Sequence, residues 1–213
     1  MQVIPRPEGW SVGSDPVWLG TERRFTVDQV EAALRAHGAP RRAEVPFTDV
    51  RASAVLVALI DGADGAEVLL TRRSWDLRNH SGEVSFPGGR MEQGESPVEA
   101  ALRESFEEVA LDPAAVTIVG ELDHLSTFVS NSYIVPVVAR LASAPELTAS
   151  AAEVERIFYV SLAELTRVDT YRQEHWGGSD FHRRLNFFEL DDETVWGATA
   201  RVLVNLLDIL WAS

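Results

Sequence analysis

Two adjacent glycines followed by one strongly acidic helix constrain this chain more than any other feature. The stretch runs Phe86-Pro87-Gly88-Gly89 and continues to Arg103-Glu104-Ser105-Phe106-Glu107-Glu108-Val109. Gly88 and Gly89 lack a Cβ, which predicts a tight turn that can approach a ligand closely. Ser96 is a good N-cap, Glu99 is its capping-box partner, and Pro97 suits the first helical turn. Val98, Ala101, Leu102, Ser105 and Val109 recur on one face at helical spacing. Asp112-Pro113 is the expected stop.

The charges on that helix run against its dipole. Glu95 and Glu99 sit at the start, where negative charge is favoured, but Glu104, Glu107 and Glu108 sit at the end that favours cations. Glu104 and Glu108 are also a like-charged i,i+4 pair, which costs roughly 0.2–0.5 kcal/mol in an isolated helix. Arg103 can offset part of this through an i,i+4 contact with Glu107. Two readings follow. One is a solvated acidic face. The other is a site for a hard divalent cation such as Mg2+, which takes oxygen ligands and keeps waters that a phosphate can replace.

The 213 residues suit one domain with an extension: an N-terminal arm and short helix over 1–40, then the main domain over 41–213. Hydrophobic residues make up 46%, enough for a buried core. Cysteine is absent, so thiolate chemistry and disulfides are excluded. No apolar run reaches the roughly 18 residues of a membrane span, and the N-terminus lacks the order of a signal peptide. A cytoplasmic protein with no membrane partner is the expectation. The net charge of −14 argues against nucleic acid as a partner, which needs a basic footprint. Phosphates remain possible ligands where metal ions and local arginines reverse the sign.

Met1 to Gly20 shows no period and reads as an extended arm. Thr26-Val27-Asp28-Gln29 is a capping box that opens a short helix to about His37. Ala52 to Ile60 is a continuous apolar run, read as a buried strand, and Val68 to Arg72 returns from it as a hairpin. Trp75 to Ser85 reads as a polar loop. Val116 to Leu125 and Tyr133 to Leu141 read as paired strands around a turn near 127–131, with Pro136 marking the second as an edge or bulged strand. Val154 to Val160 is a further strand, Ser161 to Leu165 a capped turn, Leu185 to Leu190 a late strand and Thr194 to Leu210 the last helix. The mixture lacks regular βα alternation. It fits an α+β sandwich, with helices on either side of a mixed sheet.

Other chemistries find little support. The five histidines are dispersed, and no G-x-S-x-G elbow or P-loop appears. His80 can touch substrate, whereas His124, His175 and His182 read as structural or surface residues. Trp196-Gly197-Ala198-Thr199-Ala200, at the opening of the last helix, reads as core packing. Glu153 and Glu155 are either surface residues or one further acidic ligand.

The full pattern is more specific than its parts. Gly89, then Glu95 after five residues, then Arg103-Glu104 after seven, then Glu107-Glu108 after two, resembles the Nudix box. Ser105 stands where that motif usually has an aliphatic residue, and Ala110 where it usually has glycine. A second stretch, Leu69-Leu70-Thr71-Arg72-Arg73-Ser74 with Arg78, Gly82 and Phe86-Pro87-Gly88-Gly89, is similar to the motif upstream of that box in coenzyme A pyrophosphatases.

The resemblance implies a Nudix-like α/β/α sandwich with a catalytic loop and helix, and Mg2+ or Mn2+ as cofactor. It implies Glu104, Glu107 and Glu108 as metal ligands, one of them able to act as base, with Arg103 orienting them and a carbonyl near Gly88 or Gly89 joining the shell. Glu95 would anchor the turn to the helix. Arg72, Arg73, Arg78, His80, Phe86, Gly88 and Gly89 would meet the substrate. The implied reaction is hydrolysis of the pyrophosphate bond of coenzyme A or acyl-coenzyme A. The alternatives are another nucleoside diphosphate derivative, such as ADP-ribose or a dinucleotide, and a non-catalytic binding module. Homodimers are common in the family, and the N-terminal arm could exchange between subunits.

Overall fold

A computed structural model describes residues 4–45, 50–127, 131–177 and 183–213. His182 and most of the turn expected near 127–131 lie outside the described residues. In chain order the elements are β1 (Ser11–Val12), α1 (Val27–His37), β2 (Arg51–Gly62), β3 (Gly65–Arg73), β4 (Val84–Ser85), β5 (Gly88–Arg90) and α2 (Pro97–Val109). Then follow β6 (Val116–Glu121), β7 (Leu125–Thr127), β8 (Ser132–Leu141), β9 (Val154–Ser161) and α3 (Leu162–Leu165). The chain closes with β10 (Tyr171–Trp176), β11 (Arg183–Glu189), β12 (Thr194–Trp196) and α4 (Gly197–Ala212).

The main sheet is built on β2. One edge of β2 pairs in parallel with β8 from Arg51 to Leu59. The other edge takes β5 at Ser53 to Val55 and then β3 at Leu59 to Gly62, both antiparallel. Alternate residues of β2 serve different cores, as a strand covered on both faces requires. Ala54, Leu56 and Ala58 face α2 together with Ala100, Ala101 and Val109. Val57 and Leu59 face α1 and α4 together with Val30, Leu34, Leu203 and Leu206. The expected α+β sandwich with a mixed sheet is therefore present.

Several local expectations need correction. Gly88-Gly89 is not a tight turn: the pair is extended and forms strand β5 against Val55 and Ala54. The chain reverses later, where Glu95 N–H donates to the Glu92 carbonyl. Helix α2 ends at Val109, before Asp112-Pro113, because Ala110 enters the left-handed region at φ 56° and ψ 30°. β8 is an interior strand, with β2 on one side and β6 and β7 on the other. Pro136 is tolerated because the ladder is broken there: β6 pairs as far as Val137, and β7 resumes at Ile134. Thr194–Trp196 is a strand, and the last helix starts at Gly197.

A second sheet, ordered β1-β10-β11-β12, is not apparent from the sequence pattern. Through it the N-terminal segment packs against the rest of its own chain. Trp18 is fully buried, donates Nε1–H to Asp208 Oδ1 at 2.9 Å and meets Tyr171 edge-on at 4.8 Å. Arg6 pairs with the buried carboxylate of Glu174 at 2.7 Å.

Candidate active site

Helix α2 begins as its capping box predicts. Ser96 Oγ accepts the Glu99 N–H at 3.3 Å, and the Glu99 carboxylate accepts the Ser96 N–H at 2.8 Å. Ser105 is fully buried on the helix face that packs on the sheet. It fits where an aliphatic residue was expected because its hydroxyl donates to the Ala101 carbonyl at 2.6 Å, leaving no unpaired proton.

Arg103 is the hub of the acidic cluster. Its guanidinium contacts Glu95 at 2.9 Å, Glu104 at 3.0 Å and Glu107 at 3.2 Å, and donates to the Arg90 carbonyl at 2.9 Å. Glu95 in turn accepts the Glu92 N–H at 2.8 Å, so it ties the loop after β5 to the helix. The hydrogen bond from Arg103 holds the Glu95 carboxyl below its usual range.

Glu108 is 3% exposed. Its Oε2 accepts the Gly88 N–H at 3.1 Å, and its Oε1 lies 3.5 Å from Arg73 Nη1. Burial pushes its pKa up to about 7, against the pull of Gly88 and Arg73, with further upward pressure from Glu104 and Glu153. Burial also raises Glu104, and the charges of Glu107 and Glu153 add to it.

The glycines make room for this. A Cβ on Gly88, at φ +150°, would overlap the Ala54 carbonyl and the Val55 backbone, and one on Gly89 would overlap the Glu104 carboxylate. β5 therefore lies directly beneath two carboxylates of α2. That cradle and its oxygen-only donors fit a hard cation. Glu107 stands apart, with its carboxylate turned toward Arg103 on the solvent side. Among the described residues no three His, Asp or Glu side chains form a ready metal cage. Arg103, Arg73 and the Gly88 N–H hold the carboxylates in the arrangement seen.

The remaining candidate residues are more dispersed. Adjacent arginines at the end of β3 diverge: Arg73 turns to Glu108, while Arg72 pairs with the buried Glu193 at 2.9 Å. Successive residues of a strand point to opposite faces, which separates the two side chains; the register against β9 also shifts between them, with the extra residue in β9. Nε of each is buried with no hydrogen-bond partner among the described residues. Arg78 is exposed and has no ion pair among the described residues. His80 is exposed and contacts Glu83 at 2.8 Å. Phe86 is buried in the core. Glu153, left open from sequence, comes near Glu104 and Glu108, whereas Glu155 is exposed on β9. His124 is structural, bonded to Tyr133 at 2.6 Å and Glu121 at 2.9 Å.

A family model for the NUDIX domain matches residues 50–180. The chain is 33% identical over 177 residues to Nudix hydrolase 3 of Caenorhabditis elegans, covering 75% of this chain and 73% of that protein. It is 35% identical over 162 residues to the uncharacterized Nudix hydrolase NudL of Pectobacterium atrosepticum, covering 76% and 83%. Its fold is similar to that of a MutT/nudix family protein from Enterococcus faecalis, with a TM-score of 0.53 at 16% identity over 80% of this chain and 66% of that one. With the Nudix box folded into β5 and α2 and these matches spanning most of the chain, the protein belongs to the Nudix hydrolase family.

Proposed function

We propose that this Nudix hydrolase cleaves the pyrophosphate bond of coenzyme A or an acyl-coenzyme A with Mg2+ or Mn2+. The products are adenosine 3′,5′-bisphosphate and 4′-phosphopantetheine or its acyl form. The observation that carries this reading is the seat of Glu108. Gly88 binds one oxygen and Arg73 faces the other, so the motif upstream of the Nudix box and the box itself meet at one carboxylate.

Glu104 and Glu108, with Glu107, Glu153 and a carbonyl near Gly88, would hold the cation. When bound, it supplies charge neutralisation at the pyrophosphate oxygens and activation of water. The chain's residues do the positioning. Arg103 orients Glu104 and Glu107 through charge-assisted hydrogen bonds. One of these carboxylates would take the proton from the attacking water. Water adds to one phosphorus, the bridging P–O bond breaks, and the second phosphate leaves.

One observation favours a broader substrate range. Glu193 already engages Arg72, which leaves Arg78 as the exposed guanidinium of the segment for the 3′-phosphate of coenzyme A. The reading therefore keeps ADP-ribose and dinucleotides as alternatives. Hydrolysis of coenzyme A, 3′-dephospho-coenzyme A, ADP-ribose and a diadenosine polyphosphate, each with Mg2+ and with Mn2+, decides between them. Highest kcat/KM for coenzyme A supports the proposal; preference for another member of the panel replaces it; metal-independent binding without turnover points to a binding module.

A further inference from the structure

Trp75 opens the loop between β3 and β4 and is 56% exposed. A single exposed aromatic is ordinary on a protein surface. A backbone seat built for one is not. Gly82, at φ +69°, lies so close to the six-membered ring that a Cβ there would overlap three of its carbons. Ser81 Oγ donates to the Trp75 carbonyl at 2.7 Å, and the Asp76 N–H donates to Ser74 Oγ at 3.3 Å, fixing the backbone on both sides. The indole is thus supported from the protein side and open to solvent over half its surface.

The seat stands at the rim of the acidic cluster. Ser74, the preceding residue, donates its N–H to the Glu153 carbonyl at 2.8 Å, and Arg73 before it reaches Glu108. Arg78 follows three residues later, exposed and without an ion pair among the described residues. A supported π-surface two residues after the arginine that reaches Glu108, in the same loop as an exposed cation, matches a nucleoside carrying a phosphate. Every base has a π-face, and aromatic side chains bind it by stacking.

We propose that Trp75 is the stacking platform for the base of the substrate's nucleoside, with Arg78 of the same loop for a phosphate on that nucleoside. This rests on the reading of the acidic cluster as the hydrolysis site for a nucleoside diphosphate derivative. Removing a stacking ring weakens binding by roughly 5- to 150-fold.

The test is equilibrium binding with the full chain in Mg2+, using AMP and ribose 5-phosphate as probes on wild type, Trp75→Ala and Trp75→Phe. Wild type is expected to bind AMP more tightly than ribose 5-phosphate. Trp75→Ala should lose that preference and Trp75→Phe should keep most of it, with ribose 5-phosphate bound alike by all three. Circular dichroism and melting temperature establish that each variant is folded. A folded Trp75→Ala that binds AMP as wild type does overturns the proposal, as does a wild type with no preference for AMP. Wild-type turnover of coenzyme A is scored separately. Its absence, with the AMP result intact, refutes the coenzyme A reading and leaves the platform standing.

Discussion

Gly88 donates its backbone N–H to Glu108 Oε2 at 3.1 Å, joining strand β5 to the last turn of helix α2. The bond bears on a carboxylate that is almost fully buried and faces Arg73 with its other oxygen. Glu108→Gln preserves the shape and an acceptor for Gly88 but removes a negative charge. Losing one preorganised electrostatic contact commonly costs on the order of 10²–10³ in rate. The variant should fold normally and lose kcat by about that factor. Steady-state kinetics under saturating Mg2+ checks this, and near wild-type turnover removes Glu108 from the reaction.

The same burial predicts how metal-free stability depends on pH. Glu108 has a folded pKa of about 7, against an ordinary 4.5. The folded state therefore holds the proton more tightly than the unfolded chain, and stability falls as pH rises from about 4.5 to about 7. The total loss is on the order of 3 kcal/mol. Glu108→Gln removes the titrating group, so in chelator its melting temperature should exceed wild type at pH 8 and match it near pH 4.5. Parallel pH profiles that never separate contradict the shift.

A cation bound by these carboxylates should reverse that loss. A ligand that binds only the native state adds roughly 2.7 kcal/mol at a hundredfold excess over Kd. Thermal unfolding of wild type with and without millimolar Mg2+ or Mn2+ measures it. An unchanged melting temperature together with metal-independent hydrolysis defeats the metal reading.

What the sequence discloses here depends on how local the cause is. Helix α2 is legible because its cap, Pro97 and its apolar face all lie within one segment. β5 is not, because two glycines have no strand preference of their own and are extended by pairing with Val55 and Ala54. β10 hides for another reason. Its buried Glu174 looks like a surface residue until Arg6, Arg172 and Trp176 are seen around it. The site shows the same divide. The contact of Arg103 with Glu107 can be read from i,i+4 spacing, but its contact with Glu95, eight residues earlier, depends on the loop before the helix, and that of Arg72 with Glu193 joins residues 121 positions apart.

Ala110 provides a test of backbone strain. It closes α2 at φ 56°, donating its N–H to the Phe106 carbonyl at 2.9 Å. A left-handed conformation costs a residue with a Cβ about 1–2 kcal/mol, while glycine gives up about 0.4–1 kcal/mol through the freedom of its unfolded chain. Ala110→Gly should therefore stabilise the protein by up to about 1 kcal/mol and raise the melting temperature by about 2–4 °C. A lower melting temperature means that the alanine methyl contributes packing that outweighs the strain.

Arg78 carries the last prediction, on substrate choice. Coenzyme A differs from its dephospho form by a 3′-phosphate, which adds close to two negative charges at neutral pH. On a chain of net charge −14 such a group needs a local cation. Arg72 pairs with Glu193, which it shares with Arg156, and Arg73 faces Glu108, so neither guanidinium is available without breaking an existing ion pair. Arg78 is exposed and has no such partner among the described residues. Its planar fork suits phosphate oxygens. Arg78→Ala should lower kcat/KM for coenzyme A by about 10- to 150-fold, the range for a lost hydrogen bond to a charged group. The effect on 3′-dephospho-coenzyme A should be far smaller. Parallel kinetics on both compounds, wild type against mutant, decides it. If the mutant loses both substrates equally, Arg78 serves the pyrophosphate itself. If wild type already treats the two compounds alike, the 3′-phosphate has no seat in this protein and the broader Nudix activity is the better description.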